Sequence, residues 1–258
     1  MTPAHAAVLI STALFFGILV SLEIGYRIGR NKRARDPESA HEGPGAIEAA
    51  VFALLGLLLG FSFAGGTSRL DTKRELIVRE ANAIGTAYLR LDELPTNNQP
   101  EVRRLFRDYL DARLRVYEKL PSLEAAEQEL AQVAQLQQGI WARSVAASRN
   151  DPTNNAARLL LPAINEMIDV TTVRMIAMRT QLPALIFALL TAVALISGLI
   201  AGYAMAKRRS RSSLHMVLYA AVIAVTIYCI LDLEYSRWGL IRLDVADKAL
   251  LQLRDSIR

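Results

Sequence analysis

Four stretches without a charged side chain dominate the pattern of hydrophobic and polar residues along the chain. They cover residues 2–22, 49–68, 180–206 and 212–231. Each is at least 20 residues long. A helix rises about 1.5 Å per residue, so about 20 apolar residues cross the roughly 30 Å of hydrocarbon in a membrane. We therefore predict four transmembrane helices, which cover about residues 5–26, 47–66, 182–206 and 212–232.

A long charged insert separates the second stretch from the third. Residues 69–179 hold 16 Lys or Arg and 15 Asp or Glu, so their charges nearly balance. Apolar positions at heptad spacing begin and end this insert, which predicts helices that pack side by side. The first set is Leu70, Ile77, Ala81, Ile84, Tyr88 and Leu91. The second set is Leu161, Ile164, Ile168, Thr171, Met175, Met178 and Leu182.

Neither heptad segment shows a strong stop signal against the neighbouring span. We therefore expect two long helices that run from the membrane into the insert, with kinks in the later one at Pro162 and Pro183. Two further helices are predicted over residues 101–120 and 122–148, between clusters of helix-breaking residues. No strand pattern is evident.

The distribution of basic residues predicts an orientation. The chain carries a net charge of +5, and the excess lies in two short loops rather than in the insert. These loops contain Arg27, Arg30, Lys32, Arg33, Arg35, Lys207, Arg208, Arg209 and Arg211. Short basic loops stay in the cytoplasm. Both termini and residues 69–179 are then extracytoplasmic; in a Gram-negative bacterium this predicts an inner-membrane protein with a periplasmic insert. Nucleic acid is not an expected partner, because the positive charge marks membrane orientation.

These observations predict a fold class and a domain organisation. The fold is an all-α membrane protein with four transmembrane helices and an extracytoplasmic antiparallel helical bundle between the second and third. The predicted domains are the first hairpin, the bundle, the second hairpin and a C-terminal interfacial tail. They cover residues 1–68, 69–179, 180–234 and 235–258.

Several residues of the second span are candidates for packing or conduction. Gly56 and Gly60 have the spacing that allows close helix approach in lipid. Ordinary packing within the chain is a simpler interpretation than a dedicated dimer motif. Phe52, Leu59 and Phe63 form a stripe that could narrow a pore, since apolar constrictions gate by losing water. Large apolar side chains on a membrane helix also commonly face lipid.

Polar residues outside the spans form two further candidate groups. Two stripes on the heptad helices could face each other as a buried hydrogen-bond network, or less simply as an oxygen-ligated cation site. They consist of Asn82, Thr86, Asn165, Asp169 and Thr172. Charged residues also mark the edges of the spans, where ionisable groups are candidate functional residues. These are Glu48, Arg69, Lys73, Asp232 and Glu234.

Signals for enzymatic chemistry are missing from the sequence. It contains no nucleophile elbow, phosphate-binding glycine loop, HExxH or CxxC motif. The three histidines are scattered, and the single cysteine lies within the fourth span. We therefore expect no catalytic activity, no cofactor and no bound metal.

Three phrases resemble the bacterial bestrophin-like membrane protein family. They are GLLLGFSFAGGTSRLDTKRELIVREANAIGTAYLRLDELP (56–95), LLPAINEMIDVTTVR (160–174) and DLEYSRWGLIRL (232–243). The family name implies kinship with bestrophins, which are pentameric anion channels with four membrane helices per subunit. Bestrophins place the bulk of their chain in the cytosol, whereas the basic loops here predict an external insert.

The resemblance implies an oligomeric membrane protein that is channel-like or transport-related. Its implied partners are the lipid bilayer, further copies of the chain and a small anion. The alternative is a non-conducting sensor or scaffold whose external bundle binds a partner or ligand. The short cytoplasmic loops hold no recognisable signalling domain, which disfavours a solitary sensor.

Overall fold

The chain is helical throughout the part that the structure describes. This computed structural model describes residues 3–35, 45–119, 123–151, 153–207, 212–235, 240–241 and 244–257. Within these ranges the chain forms eight α-helices and no strand. They are α1 (Pro3–Arg35), α2 (Ala46–Leu89), α3 (Gln99–Lys119), α4 (Leu123–Ser148), α5 (Leu161–Arg179), α6 (Ala184–Lys207), α7 (Ser213–Glu234) and α8 (Asp244–Ser256). Residues 208–211 of the second basic loop lie outside the described residues.

Four helices are long and apolar enough to cross a membrane, which confirms the prediction of four spans in an all-helical fold. They lie within His5–Arg35, Ala46–Glu93, Ala184–Ala206 and Ser213–Glu234. α2 has 44 residues, about twice the number that a span needs. Its first half is apolar and its second half belongs to the charged insert.

The chain divides into two compact units. The first, here called the membrane unit, comprises Met1–Leu70 and Gln181–Arg242. The second, here called the polar unit, comprises Asp71–Thr180 and Leu243–Arg258. α2 is one continuous helix whose two halves fall in different units. The predicted domain boundaries and the extracytoplasmic position of the insert stay predictions.

Close contact between α1 and α6 organises the membrane unit. Gly25 and Gly29 on α1 face α6, and Gly198 and Gly202 on α6 face α1. A Cβ atom at Gly25 would clash with the carbonyl oxygen of Leu199, so the two backbones touch. Small residues allow such an approach in lipid, where dispersion contacts replace the hydrophobic effect. Around this contact, leucine, isoleucine and alanine side chains of α1, α6 and α7 form the core.

The polar unit is built on the heptad of α2. All six predicted positions, from Leu70 to Leu91, are buried. The first of them ends the membrane unit, and the other five pack in the polar unit. Within that unit α3 packs against α4 and α8, and α4 packs against α5. The two middle helices lie close to their predicted bounds.

The expectation that one long helix joins the insert to the third span was wrong. α5 ends at Arg179, the backbone becomes extended at Thr180, and α6 starts after Pro183. Proline has no N–H to donate and disfavours a helical residue before it, so the helix breaks here rather than kinks. The buried line of α5 is also shifted from the predicted seam. It consists of Ala163, Ile164, Met167, Val170, Thr171 and Arg174.

Most of the described part of the predicted interfacial tail forms α8. Leu250 and Ile257 are buried within the polar unit, and Leu253 contacts Gly85 of α2. Arg254 Nε donates to Asp111 Oδ1 of α3 at 2.8 Å. Two apolar anchors and one ion pair therefore hold the C-terminal helix in place.

Candidate functional site

One face of α2 is exposed along the whole helix. Exposed residues recur at intervals of three or four, the period of an α-helix. In the apolar half this free face of α2 carries small residues and one leucine, and in the charged half it is mostly polar. Its members are Ala53, Leu57, Gly60, Ala64, Asp71, Glu75, Val78, Asn82, Thr86 and Leu89.

The predicted constriction residues lie beside this free face rather than on it. Phe52 makes an edge-to-face contact with Tyr219 of α7, with ring centroids 6.4 Å apart. Leu59 packs against the core of the membrane unit, and Phe63 is exposed. Their role in a pore stays a prediction.

Gly56 and Gly60, the predicted packing glycines of α2, have open space around them. A Cβ atom at Gly56 or Gly60 would meet nothing within 4 Å. The close helix contact is made instead by the GYRIG segment of α1 (25–29) and the GLIAG segment of α6 (198–202). Both segments have the small-xxx-small spacing, so the signal was present in the sequence.

The two predicted polar stripes are exposed on α2 and α5. Asn82 and Thr86 belong to the free face of α2, and Thr172 is exposed on α5. Asn165 Nδ2 donates to Asp169 Oδ2 at 2.8 Å, one turn along the same helix. The structure therefore does not bring the stripes together in a buried network.

Charged residues form a compact pair at the end of the membrane unit. Arg69 Nε donates to Glu234 Oε1 at 2.8 Å, and the Glu234 side chain is 1% exposed. The other oxygen of Glu234 accepts the backbone N–H of Leu182 at 3.3 Å. One carboxylate thus ties the middle of α2 and the end of α7 to the residues just before α6. Of the other predicted edge residues, Lys73 is buried in the polar unit and Glu48 lies in the first turn of α2.

Asp232 holds the chain that follows α7. Its Oδ1 accepts the backbone N–H of Leu240 at 3.0 Å, and its Oδ2 accepts that of Ile241 at 2.9 Å. Tyr228 donates its hydroxyl to the same carboxylate at 3.5 Å. Asp232 is 4% exposed, so these donors replace the water that a buried carboxylate requires.

The core of the polar unit contains a charge cluster. Glu80 of α2 lies between Arg113 of α3 and Arg174 of α5, and none of the three is more than 1% exposed. Arg113 Nε donates to Glu80 Oε1 at 2.6 Å, and Arg174 Nη1 donates to Glu80 Oε2. The carboxylate therefore joins three helices at one point.

A neutral hydrogen-bond chain lies beside this cluster. The hydroxyls of Tyr109 and Thr171 are 2.9 Å apart, and Gln137 Nε2 donates to Tyr109 at 3.3 Å. Burial raises the pKa of Tyr109, so its hydroxyl stays protonated. Together with the charge cluster, this chain places polar side chains from α2, α3, α4 and α5 in one core.

Sequence reasoning missed Arg113 and Arg174. A signal was available, because each arginine occupies the buried apolar line of its helix. On α3 that line is Val102, Phe106, Tyr109, Arg113 and Val116. A charged residue at such a position needs a buried partner. Within the part of the chain that the structure describes, no group of three His, Cys, Asp or Glu could hold a metal ion.

Comparison with known proteins agrees with this architecture. The protein is an all-helical membrane protein, and the family model described as "Bestrophin-like domain" matches residues 32–236. The chain therefore belongs to the bestrophin-like family, as the three sequence phrases predicted. A comparison with curated proteins found no match, and a comparison with solved structures found none either.

Proposed function

We propose that this protein is an oligomeric, channel-like protein of the bacterial inner membrane, in which the free face of α2 lines the conducting path. The observation that carries this proposal is the free face itself. Only 11% of the apolar window of α2 is buried within the chain, against 39% for α7. Membrane helices associate through small residues, and Ala53, Gly60 and Ala64 supply such a surface.

A second property of α2 supports a path rather than a simple dimer contact. The free face continues beyond the apolar half into polar residues, among them Asp71, Glu75 and Asn82. In an extracytoplasmic bundle such side chains face water, so a path along the apolar half of α2 would open into a polar exit there. Copies arranged around a common axis would surround such a path with equivalent residues.

The kind of ion is proposed from the family alone. Kinship with bestrophins favours a small anion. Asp71 and Glu75 do not attract anions, and Arg69 is engaged by Glu234. A test of conduction therefore has to include both anions and cations.

The position of the polar unit completes the proposal. We infer from the positive-inside rule that both termini and residues 69–179 are extracytoplasmic, where the helices of the insert form an external bundle. We also propose that the protein is not an enzyme, because its sequence contains no recognised catalytic motif.

Electrical recording of the purified protein in planar bilayers tests this function. We expect ion currents, together with a mass in detergent above that of one chain. Leu57→Cys, in a protein with Cys229 replaced by alanine, should lose current when a water-soluble thiol reagent is added. Val222→Cys is the matched control, because Val222 is equally apolar and 65% exposed but lies on α7.

Three outcomes separate the alternatives. A single-chain mass without current for any ion would overturn the channel function and favour a non-conducting sensor or scaffold. Current that responds equally to both cysteine variants would show that the path does not follow the free face of α2. Loss of current on addition of the thiol reagent to the Leu57→Cys protein, without such a loss for Val222→Cys, would support the proposal.

A further inference from the structure

A cavity lies between α3 and α8 in the polar unit. It has a volume of about 330 Å³, within the usual range for sites that bind small molecules. Its walls are Arg107, Leu110, Asp111, Arg254, Asp255 and Ile257. α8 is held by buried Leu250, by the contact of Leu253 with Gly85, and by the Arg254–Asp111 ion pair at the cavity itself. The cavity therefore lies between two helices that are already held together.

Of the four charged residues around the cavity, two form an ion pair with each other and two do not. Arg254 and Asp111 neutralise each other through their 2.8 Å ion pair. Arg107 and Asp255 remain, one on each wall. Among the residues that the structure describes, Arg107 makes no ion pair or hydrogen bond. Asp255 makes none either, but it lies close enough to Arg254 to help the hydrogen bond with Asp111 raise the pKa of that guanidinium. The cavity thus offers one positive and one negative group that are not bonded to each other.

We propose that this cavity binds a small zwitterion, with the chemistry of a free α-amino acid. The carboxylate of the ligand would bind the Arg107 guanidinium, whose planar donors suit a carboxylate. The ammonium group would bind the Asp255 carboxylate. The apolar residues of the cavity wall are Leu110 and Ile257, which are both buried. A simple anion or cation would satisfy one wall and meet a like charge on the other.

Such a site has a consequence for α8. One wall comes from the C-terminal helix and the other from α3, so a bound ligand would bridge them and stabilise their contact. Ligand binding at this cavity is independent of conduction. The polar unit would bind the ligand whether the protein is a channel or a sensor.

Binding is tested on the full-length protein in detergent, by thermal unfolding and calorimetry with a panel of free amino acids. We expect at least one amino acid to raise the unfolding temperature and to bind with measurable heat. Its N-acetyl form, which lacks the ammonium group, and its amide, which lacks the carboxylate, should both bind roughly tenfold more weakly or worse. Equal binding of either blocked form would overturn the proposal, as would the absence of binding by every amino acid.

Substitutions then locate the site. Arg107→Gln and Asp255→Asn should each weaken binding roughly tenfold or more. Arg104→Gln and Asp108→Asn are matched controls, because both residues are exposed on α3 and do not line the cavity. Controls that weaken binding as much as the cavity variants would place the ligand elsewhere. The blocked amino acids need no substitution, so the proposal stays testable if a variant fails to fold.

Discussion

Glu80 differs from the other acidic residues of the polar unit because both of its ion-pair partners are buried with it. The exposed pair of Arg79 and Glu166 has the same chemistry, with a 2.7 Å contact, but each side chain is at least half exposed. Water and salt screen an exposed pair, so it contributes roughly 0–1 kcal/mol to folding. Breaking a buried pair leaves a charge where water cannot reach it. The burial of Glu80, rather than the length of its hydrogen bonds, therefore determines how much its ion pairs matter for stability.

We predict that Glu80→Gln destabilises the protein by about 3–5 kcal/mol, because it removes the carboxylate that faces both buried arginines. Glutamine has nearly the same shape, so the loss reports charge rather than volume. Glu166→Gln should change the free energy of unfolding by no more than about 1 kcal/mol. Denaturant unfolding of the two variants in detergent measures the difference. Equal stability of both variants would contradict a structural role for the cluster.

The same carboxylate predicts a response to acid. Burial favours the neutral form of Glu80, but the charges of Arg113 and Arg174 and their hydrogen bonds outweigh it and hold its pKa below the usual 4.5. The unfolded chain therefore takes up the proton at higher pH than the folded chain. The stabilisation is complete above pH 4.5 and is lost as the pH falls through the folded pKa. Unfolding curves of wild type and Glu80→Gln should thus converge on acidification, while a constant gap would contradict the assignment.

At the scale of helices, the contact between α1 and α6 depends on glycine in a way that the glycines of α2 do not. We predict that Gly25→Ala and Gly202→Ala each cost about 1–3 kcal/mol or prevent folding, because the added methyl group overlaps the backbone of the opposite helix. Gly56→Ala is the matched control, since its methyl group meets open space within the chain. The unfolding temperatures of the variants in detergent provide the measurement. A control as unstable as Gly25→Ala would point to a general intolerance of alanine rather than to this contact.

The helices also show how far the sequence could predict the structure. Charge-free length identified the four spans, and the heptad identified the buried side of α2, because both signals are local. The seam of α5 was shifted because Arg174 lies on its buried side, bonded to a residue far away in sequence. The partners of Glu80 were missed for the same reason. An ion pair between helices that are distant in sequence produces no periodic pattern in either helix. The sequence signals it only by a charged residue at an otherwise apolar, buried position.

At the scale of the whole molecule, α2 contributes residues to both units. Its first half contributes to the core of the membrane unit and its second half to that of the polar unit. The two units are otherwise built from different helices. The free face of α2 likewise runs through both halves of the helix.

Labelling of single cysteines tests the orientation of the protein in the membrane directly. We predict that Gln138→Cys, exposed on α4, reacts with a membrane-impermeant thiol reagent in intact spheroplasts. Ala34→Cys, exposed among the basic residues at the end of α1, should react only after the membrane is permeabilised. Both variants carry Cys229→Ala, and permeabilised samples confirm that each cysteine can react.

The opposite pattern would be equally informative. Labelling of position 34 but not 138 would place the polar unit in the cytosol, where bestrophins keep the bulk of their chain. The positive-inside rule gives most weight to the charges of short connections and little to those of long domains. The basic residues between the two spans of the first hairpin belong to such a short connection. For that reason the loop arginines outweigh the family likeness, and we expect label at Gln138→Cys.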